Sequence, residues 1–261
     1  MLLLLRHAAR SSLDVLGQAL KVASACAFHA AGGLRPLGEV RQDIEQHWGA
    51  FAEERDWTGF GLWNWEHLFY SAMLNPKDRV LVVGCGTGRD LIALLEQGYR
   101  VEGVELVNAC VEQARAALAA RNLTATVRVG SIESVELPGA FDVFIFSWFC
   151  YSYIPQAASR IRVLRRLKSL LNPGGRILIS YVPRTKPASP LPVRVARLAA
   201  RLGRSGWRPE PGDVIKPSKN GASSFSEHRF SPGEIENEAR AAGLVVRFDS
   251  QSDNVGTATL V

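Results

Sequence analysis

A strand followed by three closely spaced glycines is the feature that most limits how this chain can fold. Residues 80–83 are all apolar and mostly β-branched, which is typical of a strand buried on both faces of a parallel sheet. Gly84, Gly86 and Gly88 then predict a tight turn, and a helix is expected at 90–97. Because the free N–H groups that open such a helix favour a carboxylate or phosphate, the turn is a candidate ligand site.

A second apolar strand, 101–104, ends in Glu105. An acid at the tip of the strand beside a glycine turn is well placed to accept hydrogen bonds from both hydroxyls of a ribose. A glycine turn alone could be a simple connection, but the order strand, turn, helix, strand and acid predicts a nucleoside-containing cofactor. The spacing is G-x-G-x-G, and position 89 is not glycine, so the motif differs from the G-x-G-x-x-G of dinucleotide-binding proteins.

These residues resemble the first motif and the second strand of the class I S-adenosylmethionine-dependent methyltransferases. A helix, an Asn-Pro-Gly-Gly turn and a strand at 156–182 extend the resemblance, and so does a strand pair at the C-terminus. The resemblance implies an α/β fold with a doubly wound, mostly parallel seven-stranded sheet and an antiparallel C-terminal strand. It also implies S-adenosylmethionine as the cofactor.

The resemblance further implies that the cofactor contacts lie in the turns at the strand ends. Many relatives carry an acid near the cofactor's ammonium group where this chain has Val82, and another where it has Ser131. Ser131 can accept a hydrogen bond from the adenine amino group, although without charge and over a shorter reach. The predicted cofactor-binding residues are Gly84, Cys85, Gly86, Gly88, Glu105, Leu106, Ser131, Ile132 and Ser147.

The fourth strand, predicted at 141–146, ends in the aromatic-rich sequence 147–153. Ligands of doubly wound sheets bind beyond the carboxyl ends of the strands, so this tip is expected to face the methyl group. The Asn/Asp-Pro-Pro-aromatic motif of enzymes that methylate base amines is absent from 147–153, and the aromatic residues suit a partly apolar acceptor. The predicted substrate residues are Trp63, His67, Trp148 and Tyr151.

Methyl transfer from a sulfonium is an in-line displacement, in which alignment of the two partners can carry most of the acceleration. A general base matters only when the acceptor is protonated at neutral pH. The predicted catalytic residues are His228 and Tyr151. Glu227 precedes His228, and adjacent residues of an extended segment point to opposite faces, so Glu227 is not expected to orient the histidine.

The remaining segments predict a helical cap and an insertion. Helical periodicity predicts a helix at 11–30, which a Gly-Gly pair ends, and further helices at 38–54 and 63–74. Residues 1–76 are therefore expected to form a cap before a core at 77–261. Seven prolines at 183–225 predict a lid rather than a strand of the sheet. A basic amphipathic helix at 191–204 could rest weakly on an anionic membrane surface, close over an anionic substrate, or present a solvated arginine face of a packed lid.

Composition narrows the function further. The 261 residues suit one α/β domain with additions, and no run of about 18 apolar residues predicts a membrane span. Four cysteines form no C-x-x-C pair, which indicates a reducing compartment, a cytoplasmic location and no metal site. No secretory signal is expected at the apolar N-terminus, because basic residues interrupt it.

The predicted function is methyl transfer to an oxygen or nitrogen of a small, partly apolar molecule, with no nucleic-acid partner. An RNA or protein methyltransferase stays open as an alternative, because the net charge of +6 could hold a large anionic partner. A non-catalytic S-adenosylmethionine-binding protein and an aminopropyl transferase are further alternatives. The glycine spacing disfavours a nicotinamide-dependent oxidoreductase. The oligomeric state stays open.

Overall fold

The computed structural model describes residues 2–54, 56–185, 189–217, 224–252 and 254–261. Within these ranges the chain forms α-helices, one short 3-10 helix at Cys150–Tyr153, and β-strands. The helices are α1 Leu2–Leu34, α2 Leu37–Glu53, α3 Asn64–Met73, α4 Arg89–Glu96, α5 Asn108–Ala120, α6 Ala157–Ser169, α7 Leu191–Gly203 and α8 Glu234–Ala242. The strands are β1 Arg79–Val83, β2 Arg100–Glu105, β3 Val127–Val129, β4 Phe141–Phe146, β5 Leu171–Tyr181, β6 Asp213–Pro217, β7 Ser224–His228, β8 Val246–Gln251 and β9 Gly256–Leu260.

Seven of these strands form one sheet in the order β3-β2-β1-β4-β5-β9-β8. Strands β3, β2, β1, β4 and β5 run parallel to one another, whereas β9 runs antiparallel to both β5 and β8. The antiparallel direction follows from the short turn that joins β8 to β9. The predicted doubly wound seven-stranded fold is confirmed.

Helices cover both faces of the sheet. Alternate residues of each central strand point to opposite faces and therefore enter different cores. On β1, Leu81 and Val83 belong to a core with residues of α6 and α8, and Val80 and Val82 belong to a core with residues of α3, α4 and α5. The continuous apolar runs in β1 and β4 therefore indicate strands covered by helices on both faces.

The chain groups into two compact units. The first, which we call the helical unit, contains Met1–Asp43 and Lys186–Glu227, and the second, the sheet unit, contains Ile44–Thr185 and His228–Val261. This grouping differs from the predicted cap at 1–76. Because α1 packs with the segment inserted after β5, it belongs with that segment, whereas α3 belongs with the sheet.

Helix α1 begins earlier than predicted and ends at Leu34, directly after the Gly-Gly pair that was expected to end it. A Cβ atom on Gly32 would lie 2.4 Å from Ile215 Cδ1, and one on Gly33 would lie 2.2 Å from the carbonyl oxygen of Ala196. The two glycines therefore let β6 and α7 approach the α1 backbone closely.

The insertion adds no strand to the seven-stranded sheet in the described ranges, since β6 and β7 form a separate two-stranded sheet. Residues 186–188 and 218–223 of the predicted lid, and position 253 of the predicted turn before β9, lie outside the described residues. In the part of the chain that the structure describes, no helix has the length and apolar character that crossing a membrane requires.

Candidate functional site

The turn between β1 and α4 has one open position. Gly84, Gly86 and Gly88 have φ angles of 68°, 54° and 97°, which favour glycine. A Cβ on Gly84 would lie 2.8 Å from Cys150 Cβ, and one on Gly88 would lie 3.2 Å from Ala114 Cβ, so these two glycines permit close packing. A Cβ on Gly86 would meet nothing within 4 Å among the described residues. Gly86 is therefore where a ligand can approach the main chain.

The carboxyl group of Glu105 lies beside this open position. Its Oε2 accepts a hydrogen bond of 3.0 Å from the Gly86 N–H, and its Oε1 accepts one of 2.9 Å from the Val107 N–H. Burial raises the pKa of the Glu105 carboxyl, although the neighbouring N–H donors oppose this effect. Each carboxylate oxygen can accept a further hydrogen bond, so the group remains able to receive ribose hydroxyls.

The other predicted cofactor-binding residues follow β1, β2 and β3. Leu106 is partly open to solvent, and Ile132 is buried. Ser131 Oγ accepts a hydrogen bond of 3.2 Å from the Glu133 N–H, so the hydroxyl is held at the end of β3. The Cys85 side chain is buried, with its Sγ 2.8 Å from where a Cβ on Gly103 would lie. Cys85 can therefore contribute its main chain, but its thiol faces the core.

A buried charge cluster, formed by Glu66, Arg89 and Asp90, was not predicted from the sequence. Arg89 donates to both carboxylate oxygens of Glu66, at 2.5 and 2.7 Å, and its guanidinium lies 2.6 Å from Asp90 Oδ1. All three side chains are less than 10% exposed. With all three groups ionised, two carboxylates and one guanidinium leave a net charge of −1.

The charge cluster reaches the tip of β4 through Ser147. The Ser147 hydroxyl donates a 2.7 Å hydrogen bond to Asp90 Oδ2, and the Ser147 N–H donates to the Val83 carbonyl at 3.0 Å. Because Val83 immediately precedes the glycine turn, Asp90 is connected to the same end of the sheet as Gly86. Burial, followed by the charge of Asp90, raises the pKa of Glu66 to about 7.

The backbone after Ser147 adopts an uncommon conformation. Trp148 and Phe149 have φ angles of 37° and 66°, in a region that bulky residues rarely occupy. The Phe149 N–H donates to Ser180 Oγ at 2.9 Å, and its ring stacks on Trp65 at a centroid distance of 5.7 Å. Such conformations persist where the surroundings hold them, and they are frequent at ligand sites.

Trp148 belongs to an aromatic cluster formed with Trp48, Phe51, Trp57 and Tyr153. The ring centroid of Trp148 lies 6.3, 5.5 and 5.2 Å from those of Trp48, Phe51 and Trp57. Tyr153 meets Trp48 edge to face at 4.9 Å. The Arg89 guanidinium lies 5.3 Å from the Trp148 ring centroid, so the aromatic cluster adjoins the charge cluster.

The structure contradicts the prediction that Tyr151 is a catalytic or substrate residue. Tyr151 is fully buried, and its hydroxyl donates a 2.7 Å hydrogen bond to Glu238. Burial, together with the Glu238 charge, raises the pKa of Tyr151 well above its usual value. The Glu238 carboxylate also binds Arg160, a fully buried residue of α6. These three residues form a structural network.

Two other predicted residues lie on the outer side of α3. Trp63, which precedes α3, is 44% exposed, and His67 is exposed, whereas Phe69 and Tyr70 of the same helix are buried. Trp65 is the α3 residue that contacts the tip of β4, by stacking on Phe149. The sequence could not predict which side of α3 faces the tip of β4, because aromatic residues occupy both sides of this segment.

His228 is 2% exposed and its Nε2 lies 2.8 Å from Glu234 Oε1. The carboxylate of Glu227 instead accepts hydrogen bonds from Lys216 at 3.0 and 3.1 Å, which agrees with the prediction that Glu227 points elsewhere. His228 is thus a covered residue paired with α8, and we do not assign it the role of general base.

Comparison with known proteins finds a methyltransferase domain in the middle of the chain. Residues 80–175 match a family model described as a methyltransferase domain, and this match contains the glycine turn, Glu105 and Ser147. A ubiquinone biosynthesis O-methyltransferase from Xanthomonas campestris pv. campestris (strain B100) is 34% identical over 146 residues, which cover 55% of this chain and 59% of the relative. The chain thus matches about three fifths of the length of that curated relative.

Solved structures agree with the fold. A SAM-dependent methyltransferase from Methanosarcina mazei superposes with a TM-score of 0.59 at 17% identity, covering 77% of this chain and 97% of that one. The 1,6-didemethyltoxoflavin-N1-methyltransferase of Burkholderia thailandensis, with its substrate and S-adenosylhomocysteine bound, gives 0.53 at 19% identity and covers 74% of each chain. Sheet order, glycine turn and acid together define a class I methyltransferase fold. Residues 80–175 thus match a methyltransferase domain, and the sheet has the fold of solved S-adenosylmethionine-dependent methyltransferases.

Proposed function

We propose that this protein is an enzyme that transfers the methyl group of S-adenosylmethionine to an oxygen or nitrogen of a small, partly apolar molecule. The observation that carries this proposal is the contact between Gly86, the open position of the glycine turn, and the buried carboxyl group of Glu105. A nucleoside needs close access to the main chain and an acceptor for its ribose hydroxyls, and this contact provides both.

The residues present fit the cofactor at each of its ends. Glu105 would accept the ribose hydroxyls, and Ser131 with Ile132 would lie at the adenine. At the amino-acid end, Val82 is fully buried and offers no charge, whereas Asp90 brings a carboxylate to the tips of β1 and β4. The Asp90 carboxylate would be complemented by the cofactor's cationic end.

The bound cofactor would supply an electrophilic methyl group and a good leaving group. The protein would then hold the acceptor in line with the methyl group and exclude water. Alignment of this kind contributes on the order of 7 to 11 kcal/mol to a displacement reaction. We therefore assign the chain's own contribution to binding and orientation, with no dedicated base.

The aromatic cluster supports an acceptor with an apolar or aromatic body. Aromatic pairs contribute about 0.5 to 1.5 kcal/mol beyond the burial of their area, so several rings around one site favour a flat ligand. Trp148 directly follows Ser147 and lies in this cluster, next to Arg89. The X. campestris relative is named an O-methyltransferase, so an oxygen acceptor such as a phenol is the first to test.

Calorimetry with S-adenosylhomocysteine tests the cofactor site. Glu105→Ala removes the carboxylate that would accept hydrogen bonds from the ribose. Hydrogen bonds to a charged group contribute about 1.5 to 3 kcal/mol, so the variant should bind S-adenosylhomocysteine roughly 10-fold to 150-fold more weakly. Glu112→Ala is the matched control, because Glu112 is an exposed acid on α5. Equal affinity in the two variants would remove Glu105 from the site, and comparable binding of a nicotinamide dinucleotide would contradict the proposal.

A transfer assay tests the acceptor class. Labelled S-adenosylmethionine is incubated with panels of phenols, of amines and of total RNA, the last at two salt concentrations. We expect label in small phenols or amines. Incorporation into RNA, with binding that weakens steeply as salt rises, would favour the RNA methyltransferase alternative.

A further inference from the structure

Helix α1 presents a long apolar stripe to solvent. Leu13, Leu16 and Leu20 are 67%, 53% and 61% exposed, and Leu34 at the end of the helix is 55% exposed. The exposed alanines at positions 23, 27 and 31 connect them at helical spacing. At a rise of 1.5 Å per residue, the stripe from Leu13 to Leu34 is about 31 Å long.

The face by which α1 packs is the opposite one. His29, Gly32 and Gly33 are buried, and the two glycines approach Ile215 and Ala196. With 100° between successive residues, these three positions lie roughly 100° to 200° around the helix from Leu13, while Leu16 and Leu20 lie within about 60° of it. Leu13, Leu16 and Leu20 are therefore on the side of α1 away from the positions at which the helix packs, and only Leu34, at its end, adjoins α7 among the described residues.

Helix α7 has the same organisation. Its buried positions are the small residues Pro192, Ala196 and Ala200. Its large apolar residues Leu198 and Leu202 are 58% and 74% exposed. The interpretation of this helix as an ordinary packed lid with a solvated arginine face is therefore wrong in one respect, because the leucines are solvated as well. Exposed arginines flank this stripe, at positions 194 and 201.

The stripes of the two helices approach each other at Leu34. Leu34 lies on the same side of α1 as Leu16 and Leu20. A Cβ on Gly203, at the end of α7, would lie 3.1 Å from Leu34 Cδ2. Gly203 directly follows Leu202, an exposed member of the α7 stripe. We call the exposed leucines of α1 and α7 together the leucine face.

The positive charge of the protein is concentrated in the same unit. Residues 1–43 and 186–227 contain 13 Lys and Arg against six Asp and Glu, a net charge of +7. The remaining residues contain 18 basic and 19 acidic side chains, a net charge of −1. The excess of +6 in the whole chain therefore comes entirely from the helical unit.

We propose that the leucine face docks on an anionic lipid surface. Leucines on one side of a helix enter the boundary between headgroups and acyl chains, while neighbouring arginines remain near the phosphates. A second copy of this chain is disfavoured as the occupant, because it would bring one unit of charge +7 against another. A nucleic acid would match the charge, but it offers no apolar surface to exposed leucines.

Sedimentation with lipid vesicles tests this proposal on the full chain. Vesicles of phosphatidylcholine with 30% phosphatidylglycerol are compared with vesicles of phosphatidylcholine alone, at low and at high salt. We expect binding to the anionic vesicles, a decrease of at least tenfold at high salt, and little binding to the neutral ones. Equal binding to both vesicle types, or no binding to either, would overturn the proposal.

A leucine variant separates docking from general charge attraction. The double variant Leu198→Ser and Leu202→Ser should reduce partitioning at least tenfold, because each leucine contributes apolar area that the lipid buries. Leu68→Ser is the matched control, since Leu68 is a 71% exposed leucine on α3 of the sheet unit. Circular dichroism and S-adenosylhomocysteine affinity confirm that the variants are folded.

Undiminished binding of the double variant would show that the leucines are not used, and would overturn docking through this face. Analytical ultracentrifugation without lipid tests the competing occupant. A dimer that dissociates in the double variant would assign the leucine face to a second copy and would also overturn the proposal. A monomer in both cases, with lipid binding lost only in the variant, is the expected result.

Discussion

Replacing Tyr151 by Phe should lower the stability of the fold without impairing catalysis. The Tyr151 hydroxyl donates to Glu238 Oε2 at 2.7 Å, and Arg160 donates to Oε1 of the same carboxylate at 2.9 and 2.7 Å. All three side chains are buried. The substitution removes one hydrogen bond and leaves the ring in place against Phe146 and Phe230, at centroid distances of 5.1 and 5.5 Å.

The magnitude follows from the charge of the acceptor. A hydrogen bond to an ionised group contributes about 1.5 to 3 kcal/mol, and we expect Tyr151→Phe near the lower value because Arg160 still neutralises Glu238. Glu238→Ala should cost more, about 3 to 5 kcal/mol, because it leaves the Arg160 charge buried without a partner. Glu236→Ala is the control: Glu236 is 58% exposed in its pair with Arg240, and such surface pairs contribute below about 1 kcal/mol.

Urea unfolding followed by circular dichroism measures the stabilities, and the transfer assay measures kcat well below the unfolding temperature. Unchanged stability together with a large loss of kcat would return Tyr151 to a catalytic role. Unchanged values of both would show that the buried hydrogen bond contributes nothing, and the account of this network would fail.

Three further predictions concern the site. Gly86→Ala, at a φ of 54°, should weaken the binding of S-adenosylhomocysteine. Gly98→Ala, at a φ of 86° and equally open, should keep that affinity and lower only the free energy of unfolding, by roughly 1 to 2 kcal/mol, through backbone strain. Equal affinities in the two variants would place the ligand elsewhere. Since the pKa of Glu66 is raised from 4.5 to about 7, the folded state holds its proton more tightly, so stability should fall as pH rises through that interval. Urea titrations should find this slope reduced in Glu66→Gln, and an identical slope would contradict the assignment. Trp148→Ala should raise KM for the acceptor while leaving cofactor affinity nearly unchanged, and equal losses in both would move Trp148 from the acceptor to the cofactor.

Local patterns in the sequence were sufficient to predict the sheet and the cofactor turn. The glycines at 84, 86 and 88 require particular backbone angles, and the apolar runs of β1 and β4 require burial on both faces. Both requirements depend on residues close together along the chain. The position of Glu105 beside Gly86 could be predicted because parallel neighbouring strands end at the same edge of the sheet.

Contacts between distant segments could be decided only by the tertiary structure. Asp90 meets Ser147, and Arg160 meets Glu238, across 57 and 78 positions, and no local periodicity specifies such pairs. Likewise, the Gly-Gly pair indicated the end of α1, but only the tertiary structure shows that β6 and α7 approach the helix there. The sequence by itself determined the scaffold and the glycine turn, because those depend on backbone geometry and short-range burial. The tertiary structure alone decided which charged groups are buried together and which leucines remain exposed, since both depend on the partner that each helix face meets.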